Sequence, residues 1–154
     1  MSSSRKITAH GFSVTPPSGW EAAIYRRPPG PGERTYPILH AATRPLSSGR
    51  GDYGAGVVET LGPDDVFISL LDFGPWQKEA TLFQPVAVVP RVTPESFRSR
   101  QLQRVIRRQA GVQRFVAIAG RALCLYTVIG SMANRLALAR KANELISTLV
   151  VDPL

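Results

Sequence analysis

The last third of the chain carries the clearest patterning of apolar and polar positions. Residues 112–119 and 122–131 are two apolar runs of strand length that meet at Gly120-Arg121, and they predict a β-hairpin turning on that dipeptide. Ser131 then offers a capping hydroxyl to a helix over residues 132–150. On that helix Leu138, Ala142, Leu145, Ile146 and Leu149 form an apolar face. Arg140, Lys141, Asn143, Glu144, Ser147 and Thr148 form the wet one.

Upstream the signals are shorter. Residues 7–15 alternate loosely around Phe12 and Val14 and predict a strand. Pro16-Pro17-Ser18-Gly19 is a turn, and residues 20–25 are a second strand. Between residues 26 and 37, Pro28, Pro29, Pro31 and Pro37 with Gly30 and Gly32 exclude regular structure. Residues 38–42 are a short apolar segment, and the four glycines of residues 47–56 predict a mobile loop or wide turn. Residues 57–61 and 66–73 predict a hairpin around Gly62-Pro63-Asp64-Asp65. Residues 81–89 are extended but broken at Pro85. Thr93-Pro94-Glu95 predicts a helix start, and Gly111 its end. On this second helix Leu102, Val105, Ile106 and Ala110 face one way, and Arg100, Arg104, Arg107 and Arg108 the other, although Phe97 falls on the arginine side. No internal repeat is visible. The elements together predict one α+β domain, an antiparallel β-sheet flanked by helices with a long C-terminal helix packed on the sheet.

Composition sharpens this picture in two places. At 154 residues and 44% hydrophobic content, one folded core is expected without covalent staples. A single cysteine, Cys124, excludes an internal disulfide framework. The polar start Met1-Ser2-Ser3-Ser4-Arg5-Lys6 lacks the apolar core of a signal peptide, and the uncharged run at residues 122–134 is too short to span a membrane. These features predict a cytoplasmic protein. The arginine bias, sixteen Arg to three Lys, reads as the mark of a GC-rich bacterial genome.

Charge is the second place. Residues 1–95 hold nine basic and nine acidic side chains, whereas residues 96–154 hold ten basic and two acidic. The whole net charge of +8 therefore lies in the second segment, and no carboxylate occurs between residues 96 and 143. Arg100, Arg104 and Arg108 repeat at i, i+4, i+8, with Arg107 beside them. This leaves two readings open: a solvated face, or one paired with acids such as Asp64 and Asp65 from the first segment, against an anionic partner. The anion-binding or partner-binding candidates are thus Arg100, Arg104, Arg107 and Arg108.

Other motifs point to no chemistry. Gly49-Arg50-Gly51-Asp52-Tyr53-Gly54 matches G-x-G-x-x-G but precedes a strand-like segment, where a dinucleotide site needs a helix. Asp72-Phe73-Gly74 matches a kinase motif, yet no H-R-D segment accompanies it and the chain is too short for that fold. Arg50-Gly51-Asp52 is a chance tripeptide. His10 and His40 lack partners at metal-ligand spacing. No G-x-S-x-G elbow occurs, and Cys124, between Leu123 and Leu125, reads as a buried structural thiol. Trp20 and Trp76 each follow a Pro/Gly turn and are expected to pack in the core or at its rim. No cofactor or metal is expected.

The two ends of the chain carry a family likeness. Gly11-Phe12-Ser13-Val14 followed by Pro16-Pro17-Ser18-Gly19-Trp20 resembles the opening of the Mog1/PsbP-like superfamily. The strand at residues 122–130, with the helix ending Leu145-Ile146-Ser147-Thr148-Leu149, is similar to its close. The resemblance implies an antiparallel sheet flanked by helices, and a binding or assembly role in place of catalysis. It transfers no functional residue. The expected function is a small non-catalytic binding or assembly module that meets a protein partner or polyanion through its arginine-rich half. The alternative is a nucleic-acid binder using residues 98–114, bounded by Arg98 and Arg114, although aromatic residues for base stacking are few there. An unrecognised enzyme is the third class. Oligomeric state is not encoded in any pattern of the sequence.

Overall fold

A computed structural model describes residues 5–46, 54 and 56–154. The strands are β1 (Ile7–Ala9), β2 (Phe12–Val14), β3 (Glu21–Tyr25), β4 (Ile38–Ala42), β5 (Val66–Pro75), β6 (Gln84–Pro85), β7 (Ala110–Ile118), β8 (Arg121–Ile129) and β9 (Val150–Val151). One α-helix, α1 (Arg135–Ile146), is found among the described residues. The main sheet has the order β3-β4-β5-β8-β7-β6, and every neighbouring pair is antiparallel except β6 with β7. A smaller sheet has the order β1-β2-β9. The fold is therefore α+β and largely antiparallel. The expectation of a sheet flanked by helices holds only in part: among the described residues one α-helix packs on one face.

The core follows from two-residue periodicity in strands covered on both sides. All nine residues of β8 are buried. Leu123, Leu125 and Ile129 point toward α1, where they meet Ile68, Leu70, Val112 and Val116 of the sheet and Leu138, Ala142, Leu145 and Ile146 of the helix. Cys124, Tyr126 and Val128 point the other way, onto Phe67 and Leu71, under Val57, Val58, Leu61 and Leu102 from loops. The second face is thus closed by irregular chain, which explains why few of its covering residues show periodicity.

Six expected elements differ in detail. Residues 7–15 form two strands, β1 and β2, that turn at His10-Gly11 and pair Ile7 with Val14, and of residues 81–89 only β6 is strand, with Pro85 inside it. The β7–β8 turn is Ala119-Gly120, not Gly120-Arg121. Both turn residues have positive φ, +53° and +79°, and Ile118 pairs with Arg121. A two-residue turn of this type favours Gly at the second central position, which moves Arg121 into the strand. Residues 57–61 are not a strand. Val57 and Val58 donate to the carbonyl of Gly54 and begin a single 3-10 turn (Val58–Thr60) that buries Val57, Val58 and Leu61 together. The following turn stands, with Asp65 N–H bonded to the Gly62 carbonyl, but it leads into β5 alone.

The helix expected from Thr93 to Gly111 is also absent. Two 3-10 turns (Pro94–Ser96 and Ser99–Gln101) take its place, and Gly111 belongs to β7. Phe97, on the wrong side of the helical wheel, is fully buried in extended conformation, while Arg98 pairs with Gly111 across an isolated bridge. Burying Phe97 beside α1 and keeping a straight amphipathic helix are incompatible. Finally, the C-terminal helix is shorter than residues 132–150. A 3-10 turn (Met132–Asn134) precedes it, Ser131 makes no side-chain cap bond, and residues 150–151 pair with β2. Its apolar face is as expected: Leu138, Ala142, Leu145, Ile146 and Leu149 are all buried.

Candidate functional site

The four candidate arginines lie on the irregular chain between Phe97 and β7. Leu102 is buried on the sheet face opposite α1, Gln103 N–H donates to the Tyr126 hydroxyl (3.0 Å), and Gln109 Nε2 donates to the Val58 carbonyl (2.8 Å). These anchors fix the backbone and leave Arg100, Arg104, Arg107 and Arg108 exposed. Arg108 has φ +75°, and its carbonyl accepts from Met132 N–H at 2.7 Å. Arg107 and Arg108 line a shallow cleft of about 320 Å³ with Ile106, Gln109 and Glu59. Arg104 stands 3.9 Å from Glu59, an exposed pair worth about 0–1 kcal/mol. Arg100 sits on the preceding 3-10 turn and does not line the cleft. The structure thus gathers three of the four arginines around Glu59 and leaves the fourth along the same strip.

Among the described residues, Glu59 is the one carboxylate within 4 Å of these arginines. Asp65 is engaged elsewhere, by Thr43 Oγ1 (2.8 Å) and Arg44 (3.6 Å), and Asp64 contributes its carbonyl to Lys141 Nζ (2.8 Å). Neutralisation by Asp64 and Asp65 is therefore not found. Of the wider region, Arg98 is spent on the backbone carbonyls of Glu95 and Phe97, and Arg114 is half-buried in β7 opposite Leu125.

The other candidates resolve as packing. His40 is buried and lies edge-on between Tyr25 (5.2 Å) and Phe67 (5.1 Å). His10 is in the β1–β2 turn with φ +54°. No three His, Cys, Asp or Glu side chains converge among the described residues. Cys124 is fully buried, and burial pushes its thiol up to about 12. Trp20 is in the core, and Trp76 donates to the Ala80 carbonyl at 3.4 Å. Most of the motif at residues 49–54, and all of residues 50–52, lie outside the described residues. Gly54 itself packs on the Phe67 ring, where a Cβ would come within 2.3 Å.

Among the ion pairs that sequence reasoning missed, one has both side chains buried. Arg121, 4% exposed, donates to Asp72 Oδ2 at 2.6 Å and to the Asp152 carbonyl at 2.9 Å, with its guanidinium 5.5 Å from the Phe12 ring centroid. Burial pushes the Asp72 carboxyl above its ordinary range, against the pull of the Gly74 N–H and of Arg121. Asp72 is therefore an internal partner within β5, just before the register shift between Asp72 and Pro75, and Arg121 ties the main sheet to the small one.

Comparison with protein-family models, curated proteins and solved structures finds no match to this chain. Among the described residues, no helix is long and apolar enough to cross a membrane.

Proposed function

We propose that the protein is a non-catalytic binding or assembly module that recognises an acidic protein partner through the strip carrying Arg100, Arg104, Arg107 and Arg108. One observation carries this reading: four exposed cations on an anchored backbone have a single exposed carboxylate within reach among the described residues. A backbone anchored in advance loses less freedom on binding than a mobile loop does. The test is a pull-down on immobilised acidic protein at low and moderate salt, run beside titrations with single- and double-stranded DNA and RNA. An acidic partner should be retained in part as salt rises, with association slowed most. Nucleic-acid binding whose affinity falls linearly in log–log against salt would replace this reading with the nucleic-acid one. Replacing the four arginines by glutamine should abolish retention and leave the melting temperature nearly unchanged. Unfolding of that variant would mark the arginines as structural and overturn the reading.

A further inference from the structure

Tyr25, Ile38 and Leu71 stand opposite one another across β3, β4 and β5, so their side chains share one face at one end of the sheet. The chain that leaves β3 and returns into β4, with Phe73 beyond Leu71, encloses a cleft of about 370 Å³ above them. That volume falls within the range of small-molecule sites, which combine apolar walls with few polar groups.

The chain that forms the walls carries contacts of its own. Glu33 accepts from Arg27 at 2.7 Å and from Gly30 N–H at 3.2 Å, and the Thr35 hydroxyl donates to the Arg27 carbonyl. The Tyr36 ring lies against Gly74, which has φ +95° and where a Cβ would come within 2.6 Å of the ring. Any other residue there would displace the ring.

The charges around the cleft are mostly committed. Arg27 pairs with Glu33 at the exposed rim. The Asp72 side chain is wholly buried and held by Arg121 and Gly74 N–H. Arg34 lines the cleft and has no hydrogen bond or ion pair among the described residues. An apolar floor, three aromatic walls and one uncommitted guanidinium complement a flat apolar body with a single negative charge. We propose that this cleft binds a small aromatic monocarboxylate, with its ring over Ile38 and Leu71 between Tyr25, Tyr36 and Phe73, and its carboxylate on Arg34.

The test is an NMR titration of the full chain with 2-naphthoate and with 2-naphthylmethanol, its neutral counterpart. Saturable shifts at the amides of Ile38, Leu71 and Phe73 are expected with the acid, and binding of the alcohol should be about tenfold weaker, the worth of one charged hydrogen bond. Arg34→Gln, a surface change, should weaken the acid about tenfold and leave the alcohol unaffected. Phe73→Ala, also at an exposed position, should weaken both. A thermal melt checks that both variants fold. The proposal is overturned by absence of saturation, by shifts centred on residues 100–108, by equal affinity for acid and alcohol, or by an Arg34→Gln variant that binds the acid unchanged.

Discussion

Arg121 and Asp72 show how a single residue can join two sheets. The guanidinium is buried, and its partners come from β5, the β1–β2 turn and the chain after β9. Its fit depends on Gly11, where a Cβ would meet the guanidinium at 2.1 Å. Removing one member of such a pair strands the other charge, at a cost of about 3–5 kcal/mol. Asp72→Asn should therefore lower the midpoint of urea unfolding strongly, whereas Asp72→Leu combined with Arg121→Met should recover part of the loss. Equal losses in the single and double variants would show that the charge pairing is unimportant. Neither residue was legible as a pair in the sequence. Asp72 reads as the end of a strand, and Arg121 as a turn residue until Ala119-Gly120 takes that place.

Cys124 gives a second prediction at the same scale. Burial disfavours the thiolate, so the folded-state value, about 12, lies above the unfolded value of about 8.5. The unfolded chain loses its proton first as pH rises. The stability linked to the thiol is therefore complete below about pH 8.5 and is lost between there and about 12. Cys124→Ala should flatten this alkaline decline in chemical denaturation curves, and the native thiol should resist iodoacetamide at pH 8. Rapid alkylation of folded protein would contradict the burial.

At the scale of elements, legibility tracked how much of an element's environment is periodic. The β7–β8 hairpin and α1 were legible because each presents a regular face to one core. Leu145 is fully buried against the sheet, and Leu145→Ala should cost about 2–5 kcal/mol, read as a lowered thermal midpoint. An unshifted midpoint would remove α1 from the core. The segments that cover the opposite face were not legible. Val57-Val58 is an apolar run too short to distinguish strand from turn, and its burial is set by Phe67 and Tyr126 beneath it. Residues 94–110 carry a helical charge pattern, but Phe97 must reach the α1 side while Leu102 reaches the other. One straight helix cannot serve both. Side-chain anchoring by Tyr126 and Gln109, invisible in the local sequence, replaces helical hydrogen bonds there.

At the scale of the molecule, the sequence located the charge but not its geometry, and the cleft beside Arg34 emerges only when β3, β4 and β5 pair. The remaining question is whether the arginine strip acts as a place or merely as part of a net charge of +8. The fold provides its own control, because α1 bears Arg135, Arg140 and Lys141 on the face of the sheet opposite the one that Leu102 covers. Changing Arg104, Arg107 and Arg108 to glutamine removes three positive charges, and changing Arg135, Arg140 and Lys141 to glutamine removes the same number. Long-range attraction governed by net charge would weaken equally in both variants, most of all at low salt, where screening is least. Recognition by the strip should fail in the first variant and persist in the second, and the difference should remain at 0.15 M salt, where the Debye length is about 8 Å. Retention on an immobilised acidic protein, measured at both salts for both variants, decides the matter: equal retention would reduce the strip to its share of the net charge.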